Sequence, residues 1–144
     1  MTTRRYTVET ANRALPYVRS IVRDVIELYK EIQELSGQHS DTARTERERR
    51  QELRRHIEAS AERLHACQEE LWEIGVELKD YELGLVDFPA ELEGRPILLC
   101  WKSGEESVGH WHEVEEGYSG RQPVPADESR WPPSSATVSP AARE

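Results

Sequence analysis

Between Cys100 and Arg121 the chain reads C-W-K-S-G-E-E-S-V-G-H-W-H-E-V-E-E-G-Y-S-G-R. This one stretch sets Cys100, Glu105, Glu106, His110, His112, Glu113, Glu115 and Glu116 beside Trp101 and Trp111. The whole chain has five histidines and two cysteines, so two of the first and one of the second concentrate here. His110-x-His112 is the sharpest geometric statement. On a strand, residues i and i+2 share a face, which would set both imidazoles on one side and Trp111 on the other. Two such imidazoles, with Glu113 or a neighbouring carboxylate, make a mixed N/O set for Zn, Fe or Mn. Cys100 would join them if it lies across a hairpin on the same face. The plainer alternative is a half-exposed pair at a sheet edge that binds nothing.

Chemistry without a metal has less support. Cys100 with His110 or His112 has the types for a thiolate nucleophile and its base. Residues 66–120, however, carry three basic side chains (Lys79, Arg95, Lys102) against fourteen acidic ones. Such a field raises a thiol's pKa, leaving little thiolate. The chain contains no G-x-S-x-G, phosphate-binding G-x-x-x-x-G-K-[ST], G-x-G-x-x-G or H-E-x-x-H. Asp87, in G-L-V-D-F-P, sits among apolar neighbours, so burial would require a partner: Arg121, Lys79 or a histidine. Arg121 follows two glycines in G-Y-S-G-R. It would either bind an anion or close the domain onto Asp87 or Asp80.

These residues need a scaffold, and the rest of the chain supplies one. Thr7 is a good N-cap before an apolar pattern at Val8, Ala11, Leu15, Val18, Val22, Val25, Tyr29 and Ile32. That 3-4 spacing is the seam of a helix packed along its length against another, with Pro16 bending or delaying its start and Gly37 stopping it. A second seam runs through Leu53, Ile57, Ser60, Leu64, Cys67, Leu71 and Ile74, with Gly75 as its C-terminal cap. Linked around 37–42, the two predict an antiparallel, coiled-coil-like hairpin. Ile21, Ile26, Leu28 and Trp72 flank the seams. Either a homodimer or the C-terminal strands folding back would cover them, and the dimer is favoured.

Beyond Gly75 the apolar residues alternate. Val76–Asp80 and Leu85–Phe88 read as short strands, with Pro89 closing the second; continuation of the helix through Leu78 to Tyr81 is the alternative. Pro96–Lys102 is the clearest strand, turning at Ser103-Gly104 to an antiparallel partner over Ser107–His112. The expected fold class is α+β: a helical hairpin over 8–74, a small antiparallel sheet over 76–121, and one domain over 1–121. Residues 122–144 hold five of the eight prolines and read as a disordered tail, with Trp131 incidental.

Composition narrows the partners. The net charge is −9, which repels phosphate backbones, and the arginines of Thr42–Arg55 alternate with glutamates, so nucleic acid is not expected. No apolar run approaches the roughly 20 residues of a membrane span, and no signal core follows the N-terminus. The expected location is cytoplasmic, with Cys67 and Cys100 both thiols.

Several ordered motifs resemble one family. G-V-E-L-K-D from Gly75, G-L-V-D-F-P from Gly84, Cys100-Trp101, Gly104-Glu105, Trp111-His112 and G-R-Q-P from Gly120 are similar to the DUF2203 family of small bacterial proteins of unknown function. Tyr6–Asn12 is similar to its opening, and the resemblance spans roughly residues 5–123. It implies a bacterial cytoplasmic protein and supplies no activity. It also implies that His112 is the better single ligand than His110, within a cluster of Lys79, Asp80, Asp87, Cys100, Glu105, His112 and Arg121. The first functional expectation is therefore a non-enzymatic hairpin protein that self-associates and binds a ligand or protein partner through this cluster. The second is a metal-binding protein or metal-dependent enzyme using His112 with nearby carboxylates and His110 or Cys100.

Overall fold

The computed structural model of the protein describes residues 5–125 and 130–133. Two helices come first, α1 (Val8–Asp41) and α2 (Arg47–Glu73), packed against each other. Five strands follow: β1 (Glu77–Asp80), β2 (Leu85–Leu92), β3 (Arg95–Lys102), β4 (His110–Glu113) and β5 (Gln122–Pro123). They form one antiparallel sheet in the order β1-β2-β3-β4-β5. No described helix is long and apolar enough to cross a membrane.

The seam of α1 is buried as its spacing predicts, with Val8, Ala11, Leu15, Val18, Val22 and Val25 inside. Thr7 caps the helix: its hydroxyl accepts the Thr10 N–H, while the Thr7 N–H is bonded to Thr10 Oγ1. This capping box fixes the first turn, so Pro16 does not delay the helix. Pro16 lies inside α1 on an exposed position, where water can satisfy the carbonyl freed by its missing N–H. Gly37 is not the stop either. The helix runs four residues further because Leu35 is buried beyond the seam and the last turn is closed by side chains. Arg50 donates to the carbonyls of His39 (3.3 Å) and Thr42 (3.0 Å), a cation at the negative end of α1.

The second helix ends at Glu73, and Gly75 at φ 81 turns the chain into β1, so helix does not continue to Tyr81. Cys67 packs in the seam, and both cysteines are free thiols.

One face of the sheet lies on the helices. Val86, Phe88 and Ala90 of β2 join Ile97, Leu99 and Trp101 of β3 and the α1 seam in a single core. Ile21 and Leu28, flanking residues that a dimer was expected to cover, are buried in that same core, while Trp72 stays half exposed. Tyr6 ties the layers together. Its ring meets Phe88 edge-on at 5.1 Å, its hydroxyl donates to the Ile74 carbonyl, and its N–H donates to the Pro89 carbonyl at 2.7 Å.

Pro89 does not close β2, which continues to Leu92. In a strand the N and C=O of one residue point to the same side. Pro89 turns its carbonyl to Tyr6, away from β3, so its missing N–H costs no bond of the β2–β3 ladder. A two-residue turn, Glu93-Gly94, then joins β2 to β3, with positive φ at both positions (52 and 84).

Ordered structure also extends past Arg121. Gln122–Pro123, assigned to the tail by composition, pairs with β4, and the Val124 N–H donates to the Gly109 carbonyl. Trp131 is not incidental: it is buried against Trp111 at 5.5 Å, and its carbonyl accepts the Val8 N–H. The rest of the expected tail, 126–129 and 134–144, lies outside the described residues.

Candidate functional site

The other face of the sheet carries the candidate site. Alternation sends Leu85, Asp87, Cys100, His110 and His112 away from the helices, yet Asp87 (3% exposed), Cys100 (1%) and His112 (2%) are as buried as the core. Strand register brings them together. Asp87 faces Cys100 across β2–β3, and Cys100 faces His110 across β3–β4, with His112 one step along the same face. Donor atoms of Asp87, Cys100 and His112 all lie within 4.8 Å of one another.

The protons of this triad can be placed from its bonds. His112 Nδ1 is 2.8 Å from the Glu113 backbone carbonyl, which can only accept, so Nδ1 carries a hydrogen. His112 Nε2 is 3.1 Å from Asp87 Oδ1, and one further proton is shared across that contact. Burial pushes the Asp87 carboxyl above its ordinary range, against the opposing pull of His112 and Lys79. Lys79 Nζ reaches Asp87 Oδ2 at 3.8 Å from an exposed position on β1. Burial, followed by the charge of the Asp87 carboxylate nearby, pushes the Cys100 thiol up to about 11. A metal-free Cys100 is therefore a thiol at neutral pH, as the acidic sequence context predicts.

A second layer covers the triad. The 3-10 turn Tyr118–Gly120 leads into Arg121, whose guanidinium stacks on Tyr118 at 4.6 Å and donates from Nη1 to Cys100 Sγ at 3.7 Å. Both amino groups of Arg121 also engage Glu105, Nη1 at 3.2 Å from Oε1 and Nη2 with Oε2. The Lys102 N–H donates to Glu105 Oε1 at 2.9 Å. Burial alone would raise the Glu105 carboxyl, but these donors outweigh it and hold the group below its ordinary range.

The turn that carries Glu105 is pinned from the helix side. Trp101 Nε1 donates to the Glu105 carbonyl (3.0 Å) and Arg19 to the Glu106 carbonyl (2.9 Å). The Asn12 side chain pairs with both backbone groups of Val108.

The structure sorts the sequence candidates. His112, Cys100 and Asp87 converge. His110 shares their face, but its Nδ1 is 4.0 Å from Glu105 Oε2 and the two imidazoles do not form one donor set with the triad. Glu113 points to the opposite face and is held by Arg95 in a two-point pair (2.7 and 3.2 Å). Asp80 accepts the N–H groups of Glu82 and Leu83, which closes the β1–β2 turn. Arg121 meets Glu105 and Cys100 instead of Asp87 or Asp80. The sequence places Asp87 in one cluster with Cys100 and His112 but names His112, His110, Cys100 and Glu113 as the metal donors. The signal that joins Asp87 to the donors is the Glu-Gly turn: pairing Leu92 with Arg95 across it counts back to Asp87 opposite Cys100.

The chain belongs to the family described as uncharacterized conserved protein (DUF2203), whose model matches residues 4–124. No curated protein and no solved structure matches the chain.

Proposed function

We propose that the protein binds one divalent metal ion through Asp87, Cys100 and His112, with zinc the first choice and ferrous iron the second. The observation that carries this reading is the convergence of a carboxylate oxygen, a thiol sulfur and an imidazole nitrogen within 4.8 Å on a buried face. A thiolate in the set favours Zn or Fe over Mn. His112 is also oriented as metal-bound histidines usually are, with Nδ1–H on a backbone carbonyl and Nε2 toward the other donors. Charge supports the reading as well. A doubly charged ion would displace two protons, that of the Cys100 thiol and the one shared by Asp87 and His112. The cluster's net charge would not change, so the nearby Lys79 and Arg121 would face no added charge. Three protein donors leave a fourth position for water or a ligand.

The direct test is metal analysis of untagged protein purified without chelator. About one ion per chain is expected in the wild type, lost in His112→Ala and in Cys100→Ser. Metal-free wild type after resupply with zinc and ferrous iron would overturn the proposal.

A second reading concerns self-association through the hairpin, giving a homodimer with a coiled-coil-like interface. Half-exposed Trp72 on α2 and Tyr17 on α1 support it, since aromatic side chains are enriched at protein interfaces. Light scattering during gel filtration distinguishes monomer from dimer. Two free thiols suit a reducing compartment, and we place the protein in the cytoplasm on that ground.

A further inference from the structure

Glu105 is an internal carboxylate seated where a small anion would fit. Both arms of the Arg121 fork and the Lys102 N–H converge on it, the recognition pattern of a carboxylate bound at two points. The Arg121 side chain is only 13% exposed, and Tyr118 and Cys100 hold it in place, so the cation is fixed before any ligand arrives. Glu105 itself stands at a border. One side of its turn faces Arg121, and the other lines a cavity of about 470 Å³ whose other charged residues are Arg19 and Arg23 against Glu27 and Glu106. Arg23 has no hydrogen-bond or ion-pair partner among the described residues. One atom at the seat is also unsatisfied: His110 Nδ1 is buried without a hydrogen-bond partner, 4.0 Å from Glu105 Oε2.

We propose that Arg121, His110 and the Lys102 N–H form a binding site for a small oxyanion, of which acetate is the simplest representative, and that Glu105 holds the ligand's place. When the ligand enters, Glu105 swings into the adjoining cavity, where Arg23 is the cation without a partner among the described residues to receive it, Glu27 and Glu106 being the carboxylates it must pass. The ligand's second oxygen takes the position from which His110 Nδ1 can be reached, satisfying an atom that Glu105 leaves unpaired. The turn can release the side chain without moving, because its backbone is held independently by Trp101, Arg19 and Asn12. The site adjoins Cys100 through Arg121, yet it stands whether or not the triad holds a metal.

The experiment is an anion titration of chelator-treated full-length protein at constant ionic strength. Sodium acetate and inorganic phosphate serve as separate probes, read by NMR of the His110 ring and the arginine side chains. Glu105→Gln removes the internal carboxylate and should bind acetate roughly tenfold or more tighter than wild type, the worth of one charge-assisted bond. Arg121→Lys in the same background keeps the charge, loses the fork and should abolish the gain. Phosphate binding better than acetate would assign the site to tetrahedral oxyanions. A folded Glu105→Gln protein with no saturable shift overturns the proposal. So does a gain that survives Arg121→Lys, which would move the anion to Arg19 and Arg23. If Glu105→Gln fails to fold, Glu105→Asp replaces it; the shortened arm should still admit acetate, and wild-type behaviour would count against the idea. Because every readout is metal-free, a negative metal analysis leaves this result interpretable.

Discussion

Val86, Phe88, Leu99 and Trp101 point from the sheet toward the helices, while Asp87, Cys100 and His112 point the other way from the same strands. Both sets are buried, but by different means. The first is covered by the seam of α1, where removal of apolar surface from water supplies the driving force. The second has Arg121 over Cys100 and Lys79 beside Asp87, and each of its polar groups must find a partner to offset desolvation. Buried ionic and polar groups are poor stabilisers compared with apolar ones of similar size. A face that could have been closed with leucine and valine carries an acid, a thiol and an imidazole instead. That choice supports the binding role proposed for the outer face, while the inner face is the one that holds the fold together.

The largest expected effect tests the inner face. Phe88→Ala removes a fully buried ring that meets Tyr6, and should cost about 3–5 kcal/mol of unfolding free energy by urea denaturation. If the protein still folds, its metal content should not change; a variant that folds but loses the ion would break the division of labour. On the outer face, Asp87→Ala leaves His112 Nε2 without its buried partner. It should cost roughly 1–3 kcal/mol and abolish metal uptake. Cys100→Ser sharpens the contrast, because a serine hydroxyl can still accept from Arg121. Its stability should stay within about 1 kcal/mol of wild type while the metal is lost.

The inner face was the legible one. Its residues obey periods of 3-4 in the helices and 2 in the strands, and the structure buries them as those periods require. Errors came at punctuation. Gly37 and Pro89 both read as stops, and both are tolerated because their local surroundings meet the backbone's needs: Arg50 closes the end of α1, and Pro89 faces Tyr6 instead of β3. Misreading Pro89 also hid the Glu93-Gly94 turn, and with it the register that sets Asp87 against Cys100. The partner of Arg121 was beyond reach, because it depends on where the Trp101 and Arg19 bonds pin the Glu105 turn. Alternation can say which face a strand residue takes. It cannot say how a loop returns over that face.

Two carboxylates of the outer layer should answer pH in opposite directions. Asp87, raised by burial, holds its proton more tightly folded than unfolded. Its contribution is fully present below the ordinary aspartate range and declines as pH rises through its folded value. Glu105 is held low on balance, so its contribution is present above the ordinary glutamate range and is lost as pH falls through its folded value. Urea midpoints measured from about pH 3 to 7 should therefore fall on the acid side in wild type and flatten there in Glu105→Gln. Asp87→Asn should remove the decline toward neutral pH. Identical profiles for both variants would mean that the two acids do not occupy distinct environments.

The smallest stability effect is expected at Trp72, and it tests a third surface. Ile21 and Leu28, which flank the α1 seam, are covered by the chain's own core, so the apolar surplus that called for a second copy is reduced largely to half-exposed aromatics. Trp72→Ala should shift unfolding by no more than about 0.5 kcal/mol, because half of the side chain is already in water. If hairpins pair through this residue, the same substitution should turn a dimer into a monomer by light scattering and leave metal content unchanged. A wild-type protein that is monomeric at every concentration removes the interface and leaves the outer face of the sheet as the binding surface. A dimer unaffected by Trp72→Ala would instead place the contact elsewhere, with Tyr17 the next residue to change.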